Sequence, residues 1–105
     1  MSVSNQQAER LALSLDGAFP APHFDRTAFR TKRKIFATLG SSGLDLNLMF
    51  TPELRDHYCE MAPEVFTPVA GGWGLKGATK CDLQAADEGL LLSALTAAHG
   101  LALPK

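Results

Sequence analysis

The chain alternates between two hydrophobic periods, and the switches between them mark out its elements. In Ser4–Leu15 the apolar positions Ala8, Leu11, Ala12 and Leu15 recur at helical spacing among Gln6, Gln7, Glu9 and Arg10. This predicts a helix with Ser4 as N-cap and Asp16-Gly17 as its stop. Pro20 and Pro22 then read as an extended connection. Three strands in a meander follow: His23–Thr31, Lys34–Leu39 and Leu44–Phe50. The last has Leu44, Leu46, Leu48 and Phe50 alternating with Asp45, Asn47 and Met49, the cleanest period-two stretch of the chain. Gly40-Ser41-Ser42-Gly43 supplies the hairpin connection between the second and third of these strands.

Thr51-Pro52-Glu53 opens a second helix, with Thr51 as N-cap and Pro52 in the first helical position. Leu54, Tyr58 and Met61 line one side of it before Pro63. Phe66–Ala70 reads as a strand, Gly71–Gly77 as a loop and Ala78–Leu83 as a further strand. A final helix is predicted over Ala85–Leu101, with a buried stripe of Leu91, Ala94, Leu95, Ala98 and Leu101. The expected fold class is therefore α+β: an antiparallel sheet packed against helices in the order α-β-β-β-α-β-β-α.

A chain of 105 residues, 46% hydrophobic, fits one domain with a real core and needs no disulfide or metal to hold it. The longest uncharged apolar run, Gly89–Ala98, is far short of the roughly 20 residues a membrane span needs. Met1–Gln7 lacks the basic start and apolar core of a secretory signal, so a cytoplasmic protein without membrane association is expected. Cys59 and Cys81 are the only cysteines and read as two reduced, partly buried thiols. His57 and Cys59 form a lone His-x-Cys pair without the further ligands zinc requires, so no metal site is expected.

Net charge is −1, but its distribution is uneven. Between Asp25 and Lys34 stand five cations (Arg26, Arg30, Lys32, Arg33 and Lys34) and one acid. Half of the positive charge thus lies in a tenth of the chain. On a strand, Arg26, Arg30 and Lys32 fall at even spacing and project from one face, with Arg33 and Lys34 at the turn that follows. Such a wing suits contact with phosphates. The commoner use of such charges is a solvated face that keeps an edge strand from pairing.

The second conspicuous feature is Ala70–Gly77, where four glycines surround the only tryptophan, Trp73. An exposed Trp73 beside Lys76 and Lys80 would offer a stacking platform for a base or another flat ligand. The favoured reading is instead that Trp73 folds back to cap the sheet, because burying an indole is worth a few kcal/mol. No catalytic constellation is visible. His23 and Asp25, or Asp56 and His57, lack a matched nucleophile, and the glycines form no phosphate-binding fingerprint. His99 reads as a terminal histidine favoured by the helix dipole.

Four segments taken in order resemble the MmcQ/YjbR-like family: His23–Arg30, Lys34–Ala37, Asn47–Glu53 and Pro63–Gly74. The resemblance covers nearly the whole chain. It implies a CyaY-like (frataxin-like) fold, also described as a double wing and labelled DNA-binding on that basis, with no established enzymatic activity. Arg33, Met49 and Ala78 depart from the family pattern, which there more often has glycine, lysine and an aromatic residue. A frataxin-type acidic ridge for iron is not expected, since the first helix offers only Glu9 and Asp16.

The leading expectation is a non-catalytic DNA-binding domain. It would contact phosphates through Arg26, Arg30, Lys32, Arg33 and Lys34, with Trp73, Lys76 and Lys80 as the second set. The alternative is a small-molecule or protein-interaction module using a groove beside Trp73, with Arg30 or Lys76 as an anion anchor. Neither reading calls for a cofactor.

Overall fold

The computed structural model describes residues 2–103. Of the positions discussed above, only Met1 lies outside them. Ten elements follow one another: α1 (Asn5–Leu13), β1 (Phe19–His23), β2 (Arg26–Arg30), β3 (Ile35–Leu39), β4 (Asp45–Met49), α2 (Pro52–Met61), β5 (Phe66–Pro68), α3 (Gly72–Leu75), β6 (Ala78–Asp82) and α4 (Glu88–Ala102). The strands form one sheet in the order β1-β2-β3-β4-β6-β5, and every neighbouring pair is antiparallel.

Local chemistry sets most of the boundaries. Ser4 forms a capping box with Gln7: the Gln7 amide donates to Ser4 Oγ at 3.1 Å and the Ser4 amide to Gln7 Oε1 at 2.9 Å. Thr51 Oγ1 accepts from the Leu54 amide at 3.2 Å. The last helix starts at Glu88 rather than Ala85, because Asp87 caps it by accepting from the Leu90 amide at 2.7 Å. α1 ends at Leu13, two residues short of its apolar pattern.

The sheet has one strand more than the sequence predicts. Phe19–His23, read as a connection because of its prolines, pairs with β2 as the outermost strand. An edge strand can accommodate proline, since amides on its free side have no ladder partner to lose. The predicted strand His23–Thr31 is consequently shortened to β2, with His23 ending β1 and a tight turn at Phe24-Asp25 between them.

Alternation assigns the two faces. The register rows Phe29–Ala37–Leu48–Thr79 and Leu39–Leu46–Cys81–Phe66 are buried throughout and meet the helices. Leu91, Ala94, Leu95 and Ala98 of α4 are fully buried. Phe36 is the extra residue of an irregularity opposite Phe29 and Arg30. It too turns into the core, where its ring meets His99 edge-on at 5.3 Å. His99 lies in the last turn of α4, as expected, but it does more than meet the helix dipole. It is buried, and its Nε2 pairs with the Asp16 carbonyl oxygen at 2.6 Å, tying α4 to the turn after α1. On the other flank Tyr58 stacks on Phe50 at 5.0 Å and its hydroxyl pairs with Ser93 Oγ at 2.9 Å, joining α2 to α4. Met61, predicted to share the buried side of α2, is half exposed.

Both cysteines are free. Burial pushes the Cys81 thiol up to about 12, with neighbouring Asp82 adding to the effect. Burial also raises Cys59, where Arg55 pulls back and Asp56 adds. Both are therefore neutral thiols at physiological pH, and only Cys59 is accessible. A thiol-alkylating reagent at pH 8 is expected to modify Cys59 slowly in the folded protein and Cys81 only after denaturation, as read by mass spectrometry. Equal labelling of the two in the folded state would contradict this packing. Because the folded-state value lies above the ordinary 9.0, Cys81 does not diminish stability below pH 9.0. Its contribution is lost as pH rises from there towards 12. Among the described residues no helix is long and apolar enough to cross a membrane.

Candidate ligand groove

The face of the sheet away from the core is not covered by helices, and it holds a groove of about 650 Å3. One end is walled by the β1–β2 turn, where Phe24 stands 94% exposed with φ +59°. A positive φ at the first residue of a two-residue hairpin loop is normally left to glycine, asparagine or aspartate. Trp73 from α3 forms another wall and is 65% exposed. The floor is built by outward residues of the central strands: Ile35 and Thr38 from β3, Asn47 and Met49 from β4, and Ala78 from β6. Arg30, Arg33 and Lys34 line the flank towards the β2–β3 turn.

Trp73 therefore does not cap the sheet in the buried sense its chemistry suggests. Short-range geometry holds it out. Gly71, with φ +80°, turns the chain into α3. A Cβ at Gly74 would lie 1.7 Å from the Val69 carbonyl oxygen, so only glycine lets the turn sit this close to the preceding strand. Arg55 of α2 donates through Nη1 to the Gly74 carbonyl at 2.6 Å and secures the turn from below. The Lys76 ammonium lies 5.5 Å from the Trp73 ring centroid, a cation–π contact on the indole. Arg55 had no local signal in the sequence, because its partner is 19 positions away.

The basic cluster divides by what each side chain already does. Arg26 is committed within the fold. Its Nε donates to Thr38 Oγ1 at 2.8 Å and its Nη2 to the Thr38 carbonyl at 2.9 Å, while Nη2 pairs with Asp45 at 3.2 Å. Arg33 donates to the Leu101 carbonyl at 2.5 Å, and Thr31 Oγ1 donates to that of Ala102 at 2.6 Å. Together they satisfy the end of α4, where a cation also suits the helix dipole. Arg30 contacts the Thr31 carbonyl through Nε at 3.0 Å and lies 6.0 Å from the Phe19 ring centroid. Its two terminal nitrogens have no partner among the described residues. Lys32 and Lys34 are exposed and form no ion pair among the described residues.

The even-spaced wing of Arg26, Arg30 and Lys32 is accordingly not formed. β2 ends at Arg30, and Lys32 belongs to the turn beyond it. Of the predicted site residues, the structure brings Arg26, Arg30, Arg33, Lys34 and Trp73 to one groove. Lys76 sits behind Trp73 and does not line it. Lys80 faces a neighbouring depression of about 410 Å3 among Asp45, Glu64 and Asp82. The open face is thus polarised, cationic towards the β2–β3 turn and acidic at the other end. Further lining residues, among them His23, Phe24, the acid Asp25, Asn47 and Met49, were not among the predicted site residues. Only Asn47 and Met49 were within reach of sequence reasoning, through their alternation with the leucines.

Comparison with known proteins agrees with this architecture. The YjbR family model matches residues 13–101. The chain belongs to the YjbR family. Protein DR2400 of Deinococcus radiodurans, a DUF419 domain, superposes with a TM-score of 0.74 at 16% identity, covering 90% of this chain and 75% of that one. A structural-genomics target from Pseudomonas syringae gives 0.73 at 16% identity, covering 96% of this chain and 100% of that one. At these identities the likeness concerns the fold. No functionally curated protein matches the chain. Arg33, Met49 and Ala78, where a departure from the family pattern was expected, all line the groove.

Proposed function

We propose that this YjbR-family chain is a non-catalytic binding module whose open-face groove holds a ligand combining a planar ring with an anionic group. The observation that carries the reading is convergence. Two exposed aromatic side chains, Phe24 and Trp73, come from segments far apart in sequence, and the available Arg30 and Lys34 flank the apolar floor between them. A concave, largely apolar surface with a few polar groups is the usual form of a small-ligand site, and the volume falls in its range. Backbone strain at Phe24 keeps an apolar ring in water, an arrangement with no folding benefit of its own.

Trp73 is the only tryptophan, so its fluorescence reports directly on the groove. Phenyl phosphate is expected to quench it saturably, and the double variant Arg30→Glu/Lys34→Glu to weaken that binding by about tenfold or more through reversed charge at the flank. Saturable quenching that the double variant leaves unchanged would remove the anion from the reading.

A second reading, DNA held through its phosphates by the basic turn, is favoured by Lys32 and Lys34, exposed and without an ion pair among the described residues. It predicts duplex affinity that falls steeply with salt and is indifferent to Trp73→Ala. The groove reading ranks first because Arg26 and Arg33, two of the five clustered cations, already serve the fold.

A further inference from the structure

Asn47 is the one side-chain amide on the groove floor, and no hydrogen bond among the described residues uses it. It stands in β4 between Thr38 of β3 and Lys80 of β6, on the row that crosses the open face. The side chain is half-buried and has no hydrogen-bond partner among the described residues. Its neighbours on the floor are apolar or already committed: Met49, Ile35 and Ala78 carry no polar atoms suited to it, and Thr38 Oγ1 accepts from Arg26. A carboxamide offers a donor and an acceptor side by side, the complement of a heterocycle edge that presents an acceptor beside a donor.

Resting on the groove reading above, we infer that Asn47 is a specificity-determining residue that reads the hydrogen-bonding edge of a nucleobase, and that the groove takes a free nucleoside monophosphate. Charge fixes the orientation. Beyond Asn47 the face carries Asp45, Glu64 and Asp82 against the single cation Lys80, with Asp45 already paired to Arg26, and this net negative charge disfavours a phosphate at that end. The phosphate is directed to Arg30 and Lys34, leaving the neutral base over the floor against Asn47, with Trp73 as its stacking wall. A groove of about 650 Å3 accommodates one nucleotide.

The test compares adenosine monophosphate with phenyl phosphate, which has a ring and an anion but no hydrogen-bonding edge. Trp73 fluorescence is read in the parent protein and in Asn47→Leu. Leucine keeps the heavy-atom count and branching of the side chain and suits the apolar floor, and a thermal melt confirms that the variant is folded. Adenosine monophosphate is expected to bind the parent about tenfold more tightly than phenyl phosphate, an advantage that Asn47→Leu removes while phenyl phosphate affinity stays within about twofold. Equal affinities in the parent, or an advantage that survives Asn47→Leu, would overturn the role of Asn47 and leave the groove reading standing. Failure of both probes to quench would overturn the groove reading itself. A tetranucleotide that binds much more tightly than the monophosphate would identify a strand as the ligand and overturn the free nucleotide.

Discussion

Gly77→Ala is expected to destabilise the protein by roughly 3–5 kcal/mol, lowering its melting temperature by about 15 °C or more. Two costs coincide at this position. Gly77 has φ +115°, a region that L side chains rarely adopt, and a Cβ there would lie 2.2 Å from the Phe50 carbonyl oxygen and 2.5 Å from the Thr51 carbonyl carbon. Those atoms belong to the junction where β4 hands over to α2, so neither side can yield without moving a central strand or a helix cap. Gly74 has the closer approach, but its φ is not positive, so a methyl group there carries one of the two costs and not both. Gly17 provides the control. Its φ is +71° and a methyl group added there would meet nothing within 4 Å, so Gly17→Ala should cost only about 1 kcal/mol. Circular-dichroism melts of the two variants decide the matter. Equal losses would mean that backbone strain, and not close approach, sets the requirement at Gly77.

Such contacts explain why the fold was more legible in the sequence than the site. The helix caps Ser4 and Thr51 act on amides three residues away, and the alternation of Leu46 and Leu48 with Asn47 and Met49 is local by nature. β1 escaped because proline breaks a strand except at a sheet edge, and edge position is a property of the finished sheet. The groove depends almost wholly on distant partners. Arg26 meets Thr38 and Asp45, 12 and 19 positions away, and Arg33 meets Leu101, 68 positions away. From the sequence these cations look equivalent to Lys32 and Lys34; in the fold they are not. Trp73 defeats the expectation from hydrophobicity partly for the same reason: the neighbouring Gly71 and Gly74, visible in the sequence, permit its turn, but Arg55, which secures it, lies in a distant helix.

The division within the basic cluster leads to the second large effect. Arg26→Ala is expected to cost about 2–3 kcal/mol of stability while changing phenyl phosphate affinity by no more than about twofold. The guanidinium makes three contacts in a setting where both partners of its ion pair are mostly shielded, with side-chain exposures of 22% for Arg26 and 24% for Asp45. Its removal leaves the Thr38 carbonyl without that donor. It also leaves Asp45 directly opposite Asp82 in the β4–β6 register, with only Lys80 of the same depression to offset the repulsion among its acids. Arg26→Lys should recover only part of the loss, since an ammonium cannot reproduce the planar fork that reaches Thr38 and Asp45 together. Asp45→Asn in the Arg26→Ala background should recover some of it by removing one of the two facing charges. Lys34→Glu behaves in the opposite way: exposed and unpaired, it should leave the melting temperature nearly unchanged and weaken the anion. Melting and titration of the same variants therefore separate cations that build the groove from those that serve it. If Arg26→Ala kept full stability and lost the ligand, Arg26 would belong with Arg30 and Lys34 and the assignment of roles would be reversed.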